Sequence, residues 1–121
     1  MSLHYLDFEH SEDTEGLGTF EAMASIAPEH VPAVHAEIAL VLAWAHGVFP
    51  ANRGPLSEGF DWDFDLQSQR EYTASDALVF DERARRIVVH ANPPGLVRHT
   101  VTLSLSGTPA FCEAFRHRFQ L

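Results

Sequence analysis

Residues 100–119 read TVTLSLSGTPAFCEAFRHRF and combine two hydrophobic periods. In the first half, apolar and polar residues alternate, which predicts a half-buried strand. In the second half, phenylalanines recur every fourth residue, which predicts the apolar stripe of a helix. These phenylalanines are Phe111, Phe115 and Phe119. Thr108 and Pro109 are typical of an N-cap and a first helical position. A half-polar strand followed at once by an amphipathic helix indicates an α+β domain.

The rest of the sequence repeats these two periods. Alternation predicts strands at residues 5–10, 19–26, 60–66, 77–81 and 86–91. Helical spacing predicts a helix over residues 28–47, ended by Gly47 as its C-terminal cap. The order is therefore ββαββββα. Half-polar strands are typical of an antiparallel sheet with one solvent-facing side. We predict a two-layer sandwich, with a mostly antiparallel sheet of five to six strands and two helices on one face.

Length and composition favour one globular domain. The chain has 121 residues, of which 45% are hydrophobic and 21% charged, close to the globular average. Its single cysteine, Cys112, has no partner for an internal disulfide, which is typical of a reducing compartment. The N-terminus lacks the basic region of a signal peptide. The longest apolar run, residues 38–45, is far below the roughly 20 residues of a membrane span. We expect a cytoplasmic location and no membrane-spanning segment.

Charge is abundant and unevenly distributed. The formal net charge is −9, and the eight basic residues are all arginine. Residues 1–65 hold twelve acidic residues and one arginine, a balance of −11, whereas residues 66–121 hold five and seven, a balance of +2. Arginine used without lysine indicates a GC-rich genome and a bacterial source. Nucleic acid and anionic membrane surfaces attract clustered positive charge, so we expect neither as a partner.

The most acidic segment reads DWDFD at residues 61–65. On a strand this spacing places the three carboxylates on one face and the aromatic rings on the other. If this strand shares a sheet with the N-terminal strands, further carboxylates join the same face. The six candidate binding residues are Asp7, Glu9, Glu21, Asp61, Asp63 and Asp65. The pattern predicts a strongly acidic sheet face.

Three interpretations of this acidic face are open. The simplest is a solvated surface, partly neutralised by Arg70, Arg98 or another C-terminal arginine. The leading functional hypothesis is a docking surface for a basic protein, because a patch of one sign steers association. Small acidic bacterial domains that bind basic partners are analogous in composition. The chain would then be a non-catalytic binding protein rather than an enzyme.

A divalent-cation site is the third interpretation, with Asp61, Asp63 and Asp65 as its ligands. Carboxylates two residues apart on a strand lie roughly 6.5–7 Å apart, so another segment would have to complete the site. An EF-hand is excluded because Leu66 and Tyr72 occupy its obligatory glycine and glutamate positions. A cation would make the chain a metal-dependent or pocket-type enzyme using Asp and His residues. The eight histidines show no metal-binding spacing, and no catalytic residue or cofactor is assigned.

Two further possibilities concern apolar residues. Aromatic side chains on the strands could line a cavity for a small molecule, which would make the chain a carrier. They are Phe8, Phe20, Phe60, Trp62 and Phe64. Such residues at strand alternation are more often core, and Cys112 beside the phenylalanine stripe is also expected in the core. An exposed apolar edge strand at a hairpin would allow two copies to pair, so a homodimer is possible.

Overall fold

Six strands and two α-helices follow the predicted order in a computed structural model, which describes residues 3–93, 95 and 97–121. The strands are β1 (Glu9–Glu12), β2 (Gly18–Ile26), β3 (Trp62–Tyr72), β4 (Asp76–Asp81), β5 (Arg86–Ala91) and β6 (Val97–Gly107). The helices are α1 (Val31–Val48) and α2 (Pro109–Phe119), and short 3-10 turns occupy Pro28–His30 and Leu56–Glu58. The predicted α+β class is confirmed.

The six strands divide into a four-stranded sheet and a two-stranded ribbon. The larger sheet has the order β1-β2-β6-β3, with every pair antiparallel, and within the described residues β4 pairs with β5 alone. Strands β3 and β6 run side by side from Trp62 opposite Gly107 to Tyr72 opposite Val97. The β4–β5 ribbon follows beyond that end. We call this ribbon with its turn, residues 76–91, the arm.

The core lies between the sheet and the two helices, which cover the same face. Helix α1 contributes Val34, Ile38, Val41 and Ala45, and α2 contributes the three predicted phenylalanines. Phe115 is central, because its ring centroid lies 4.6 Å from that of Phe20 and 5.2 Å from that of Phe8. Thr108 caps α2 as predicted, since its hydroxyl accepts a hydrogen bond from the Phe111 N–H. The two-layer arrangement follows from these two apolar stripes packing on one side of the sheet.

Helix α1 extends beyond its predicted end. Gly47 lies inside the helix, and the Phe49 N–H donates to the Ala45 carbonyl at the C-terminus, so the prediction of a Gly47 cap is wrong. The 21 residues of Pro28–Val48 are also long and apolar enough, by length and composition alone, to cross a membrane. The longest uninterrupted apolar run, residues 38–45, underestimates the apolar length of this segment. Apart from histidines, its only charged residues are Glu29 and Glu37. In this fold the segment packs one side against the sheet.

The first strand begins later than its alternation predicts. The backbone N–H groups of His4, Tyr5 and Leu6 donate to the carboxylate of Glu37 on α1, at 2.9–3.1 Å. These donors are therefore satisfied by a side chain instead of a neighbouring strand, and the ladder with β2 starts only at Glu9. Leu6 nevertheless reaches the core. Glu37 thus anchors residues 4–6 to helix α1.

The arm differs from the rest of the molecule in exposure. Its two strands and the intervening turn lie where the sequence predicts a hairpin, and the Asp81 carboxylate accepts from the N–H groups of Arg83 and Ala84 in the turn. Every residue from 65 to 80 is exposed to solvent, including the outer half of β3. Apolar side chains in this region therefore have no cover within the described chain.

Candidate functional site: the acidic face

The strand register brings acidic residues together on the uncovered face of the sheet. Glu9 lies directly opposite Glu21, Glu21 opposite Ser104, and Ser104 opposite Asp65. Residues directly opposed in a sheet share a face, and neighbouring strands lie about 4.8 Å apart. Glu9 and Glu21 are therefore adjacent, and Asp65 lies about 10 Å from Glu21 across one intervening strand. The row spans all four strands.

A shallow depression of about 330 Å³ lies at one end of this row. It is lined by Asp7, Glu9, Glu21 and Met23. The Met23 side chain is 61% exposed, although it stands among polar residues. Among the described residues, no arginine or histidine forms an ion pair with any of these three carboxylates. We call this site the acidic depression; it combines uncompensated negative charge with one apolar contact.

Asp63 is on the same face but is locally neutralised. Its carboxylate accepts a hydrogen bond from the Arg53 Nε at 2.8 Å and another from the Phe64 N–H at 2.9 Å. The Arg53 guanidinium also lies 4.5 Å from the centre of the Phe64 ring. The compensating arginine thus comes from the loop before β3, because the 49–61 segment folds back beside Trp62. Arg98, one of the two arginines expected to neutralise this face, donates instead to Ser25.

Asp61 contacts the start of helix α2. It precedes β3, and its carbonyl accepts the Thr108 N–H at 2.9 Å while its carboxylate lies 3.4 Å from the Thr108 hydroxyl. This residue therefore joins the loop before β3 to the start of α2. The sequence spacing predicts one face for Asp61, Asp63 and Asp65; Asp63 and Asp65 lie on β3, whereas Asp61 precedes the strand.

The geometry does not favour a cation at these aspartates. Asp65 accepts from the Gln67 side-chain amide at 2.9 Å, so each of the three carboxylates has a different neighbour. In residues 3–93, 95 and 97–121, no group of three or more His, Cys, Asp or Glu side chains could hold a metal ion. The residues present do not provide the convergent oxygen ligands that calcium or magnesium requires.

Four of the five aromatic side chains that were expected to line a cavity lie in the core or pack against it. The fifth, Phe60, lies before β3 and is half-buried against Gly54. Trp62 is fully buried, and its ring stacks on Phe111 with centroids 5.6 Å apart and planes 4° apart. The Phe64 ring also stacks on Trp62, with centroids 6.0 Å apart. Phe20 is buried against Phe115. This arrangement supports packing and offers no aromatic-lined space for a carried molecule.

The environment of Cys112 disfavours the reactive form of its thiol. The side chain is buried in the core, and its thiol lies 3.5 Å from the Gly107 carbonyl. Burial raises the pKa of the Cys112 thiol above its ordinary value, because the charged thiolate is poorly solvated there. The reactive thiolate is therefore disfavoured, and the residue acts as a small apolar side chain.

Three important residues were missed, and only one of them had a sequence signal. Glu37 and Arg53 act through contacts with distant segments, and neither stands in a recognisable motif. Met23 could have been noticed, because alternation places it on the polar side of β2. An apolar residue at a polar strand position is the one signal from which the apolar part of the acidic depression could have been predicted.

The chain was also compared with known proteins. No protein-family model, no curated protein sequence and no solved structure matches it. The class of protein is therefore defined by its own geometry, a two-layer α+β domain with an uncovered acidic sheet face.

Proposed function

We propose that this chain is a non-catalytic binding protein whose acidic sheet face docks a basic segment of a protein partner. The observation that supports the proposal is the acidic depression, in which Asp7, Glu9 and Glu21 surround the exposed Met23. Both helices cover the opposite face of the sheet, so this face is open to a partner. We propose the cytoplasm as the place of this encounter.

The depression suits an arginine or lysine side chain. Such a residue has an apolar stem and a charged head, which can contact a thioether and carboxylates at the same time. Glu9 and Glu21 stand directly opposite each other, and like charges in that position destabilise a strand pair by some tenths of a kcal/mol. A bound cationic group would relieve this repulsion. The same charge disfavours nucleic acid and anionic membrane surfaces as partners.

A titration with a hexa-arginine peptide, followed by amide NMR shifts, tests this proposal. We expect shifts concentrated at Glu9, Glu21 and Met23 and their strand neighbours. The double variant Glu9→Gln, Glu21→Gln should weaken binding about tenfold, the usual effect of removing central contacts. The matched control is Glu29→Gln, Glu113→Gln, which changes the same net charge at exposed positions away from the sheet face.

The control is needed because any polycation is attracted to a chain of net charge −9. Equal weakening in both double variants, with shifts spread over the whole surface, would show general charge attraction and contradict the proposal. Retained binding in the control and lost binding in the face variant would support a specific docking surface.

A further inference from the structure

Exposed apolar residues are concentrated in one region of the molecule. Seven of the ten large hydrophobic residues that are exposed in the described chain lie between residues 66 and 89. They are Leu66, Tyr72, Leu78, Val79, Phe80, Ile87 and Val89. Soluble monomers rarely expose contiguous apolar patches above a few hundred Å², so this concentration indicates an interaction surface.

The arm has one predominantly apolar face. Leu78 lies opposite Val89 and Phe80 opposite Ile87, so these four side chains share a face of the ribbon. Each is 55–66% exposed. An isolated two-stranded ribbon is at best marginally stable in water, because it has no layer on which to pack its apolar side. The arm therefore needs cover that the described part of its own chain does not provide.

The same chain also has an apolar groove. Helix α1 covers β2 and β6 but leaves the outer half of the edge strand β3 open, which creates a groove of about 490 Å³. It is lined by Ile38, Ala39 and Leu42 from α1 and by Leu66, Ser68 and Val101 from the sheet. The lining is mainly apolar and contains no carboxylate. Leu66 is among the exposed residues counted above.

We propose that the occupant of this groove is the arm of a second copy, exchanged reciprocally in a two-fold dimer. Two-fold symmetry places the same patch on both copies, so both arms and both grooves are covered at once. Strand alternation places Val79 on the opposite face of the arm, so it does not contribute to this contact. The other six large side chains, each about half exposed, present several hundred Å² of apolar surface. With the flanking backbone this approaches the roughly 800 Å² per partner of a stable interface.

Charge also favours the arm as the occupant. Strand alternation places Asp76 on the same face of the arm as Leu78, and places Arg70 on the same face of β3 as Leu66. Both charged residues are exposed. An acid at the end of the apolar arm face and a base beside the groove give opposite signs across the proposed contact. The acidic depression lies on the other side of the sheet, so this surface is independent of the proposed docking site.

Sedimentation velocity over a concentration series tests the dimer. We expect the wild-type chain to dimerise, and Phe80→Gln in the arm or Leu66→Gln in the groove to raise the dissociation constant about tenfold or more. The matched control is Val48→Gln, which replaces an exposed apolar residue outside the arm, the groove and the acidic depression, and should leave the dissociation constant unchanged. Circular dichroism of the diluted variants checks that each keeps its fold.

Mixing the two variants distinguishes an arm bound in a groove from other modes of dimerisation. The Phe80→Gln chain keeps an intact groove and the Leu66→Gln chain an intact arm, so their heterodimer retains one complete contact. Both substitutions damage the same contact, so their losses should not add where they meet, and the mixture should associate more tightly than either variant alone. A wild-type chain that is monomeric at every concentration overturns the proposal. The proposal is also overturned if Phe80→Gln weakens the dimer and Leu66→Gln does not, because the two arms would then pack on each other.

Discussion

Strand β6 and the arm strands have the same kind of apolar pattern but opposite surroundings. Val101, Leu103 and Leu105 on β6 are buried, whereas Ile87 and Val89 on β5 are more than half exposed. The difference arises from the cover, because both helices pack over the β2–β6 side of the sheet and none reaches the arm. Alternation therefore predicts a strand, but it does not tell which layer covers the apolar side.

The largest change in stability is expected when phenylalanine is replaced by alanine in the core, and the same replacement in the arm provides the comparison. Phe115→Ala removes a ring that packs among Phe8, Phe20, Trp44 and Phe119, and should lower the free energy of unfolding by about 3–5 kcal/mol. Phe80→Ala in the diluted chain should cost less than about 0.5 kcal/mol, as exposed substitutions do. Urea unfolding at low protein concentration measures both. Equal losses would mean that the arm is already packed within one chain.

Alanine substitutions at two glycines should change the stability of the fold in opposite directions. A Cβ at Gly107 would overlap the Phe111 ring, so Gly107→Ala should destabilise the fold by about 1–3 kcal/mol. A Cβ at Gly47 in α1 meets nothing within 4 Å, so Gly47→Ala should stabilise the helix by about 0.5–1 kcal/mol. Thermal melts report both changes. A loss of stability in Gly47→Ala would show that the outer side of α1 is covered in solution.

Glu37 provides a test of the anchored N-terminal segment. Glu37→Gln removes the charge from the acceptor of three backbone N–H groups, and should cost about 1–3 kcal/mol of unfolding free energy. The matched Glu29→Gln, at an exposed position on the preceding turn, should change stability little. Amide exchange at residues 4–6 should also rise in the Glu37 variant alone. Unchanged exchange there would contradict the anchoring role.

The smallest effect concerns the acidic depression. Glu21→Gln removes one of two directly opposed carboxylates and should raise stability by a few tenths of a kcal/mol at low ionic strength. The gain should fall as salt screens the repulsion. Melts of the variant and the wild type at low and high sodium chloride measure this difference. A variant that is less stable at low salt would mean that Glu21 has a stabilising partner.

Much of the fold could be predicted from the sequence because the periods are local. The caps and stripes of α2, the arm hairpin and the common face of Glu9 and Glu21 follow from spacing alone. The roles of Glu37 and Arg53 could not be predicted, because each depends on which distant segment folds against it. The contact of Asp61 with Thr108 could not be predicted for the same reason, since the two residues are 47 positions apart in the sequence.

Amide hydrogen exchange at several protein concentrations tests most directly whether the molecule consists of a self-sufficient core and an arm completed by a second copy. We predict that β2 and β6 are protected at every concentration, whereas protection of β4, β5 and the outer half of β3 rises as the concentration increases. Protection of the arm that is already complete at the lowest concentration, or that never develops, would contradict this account.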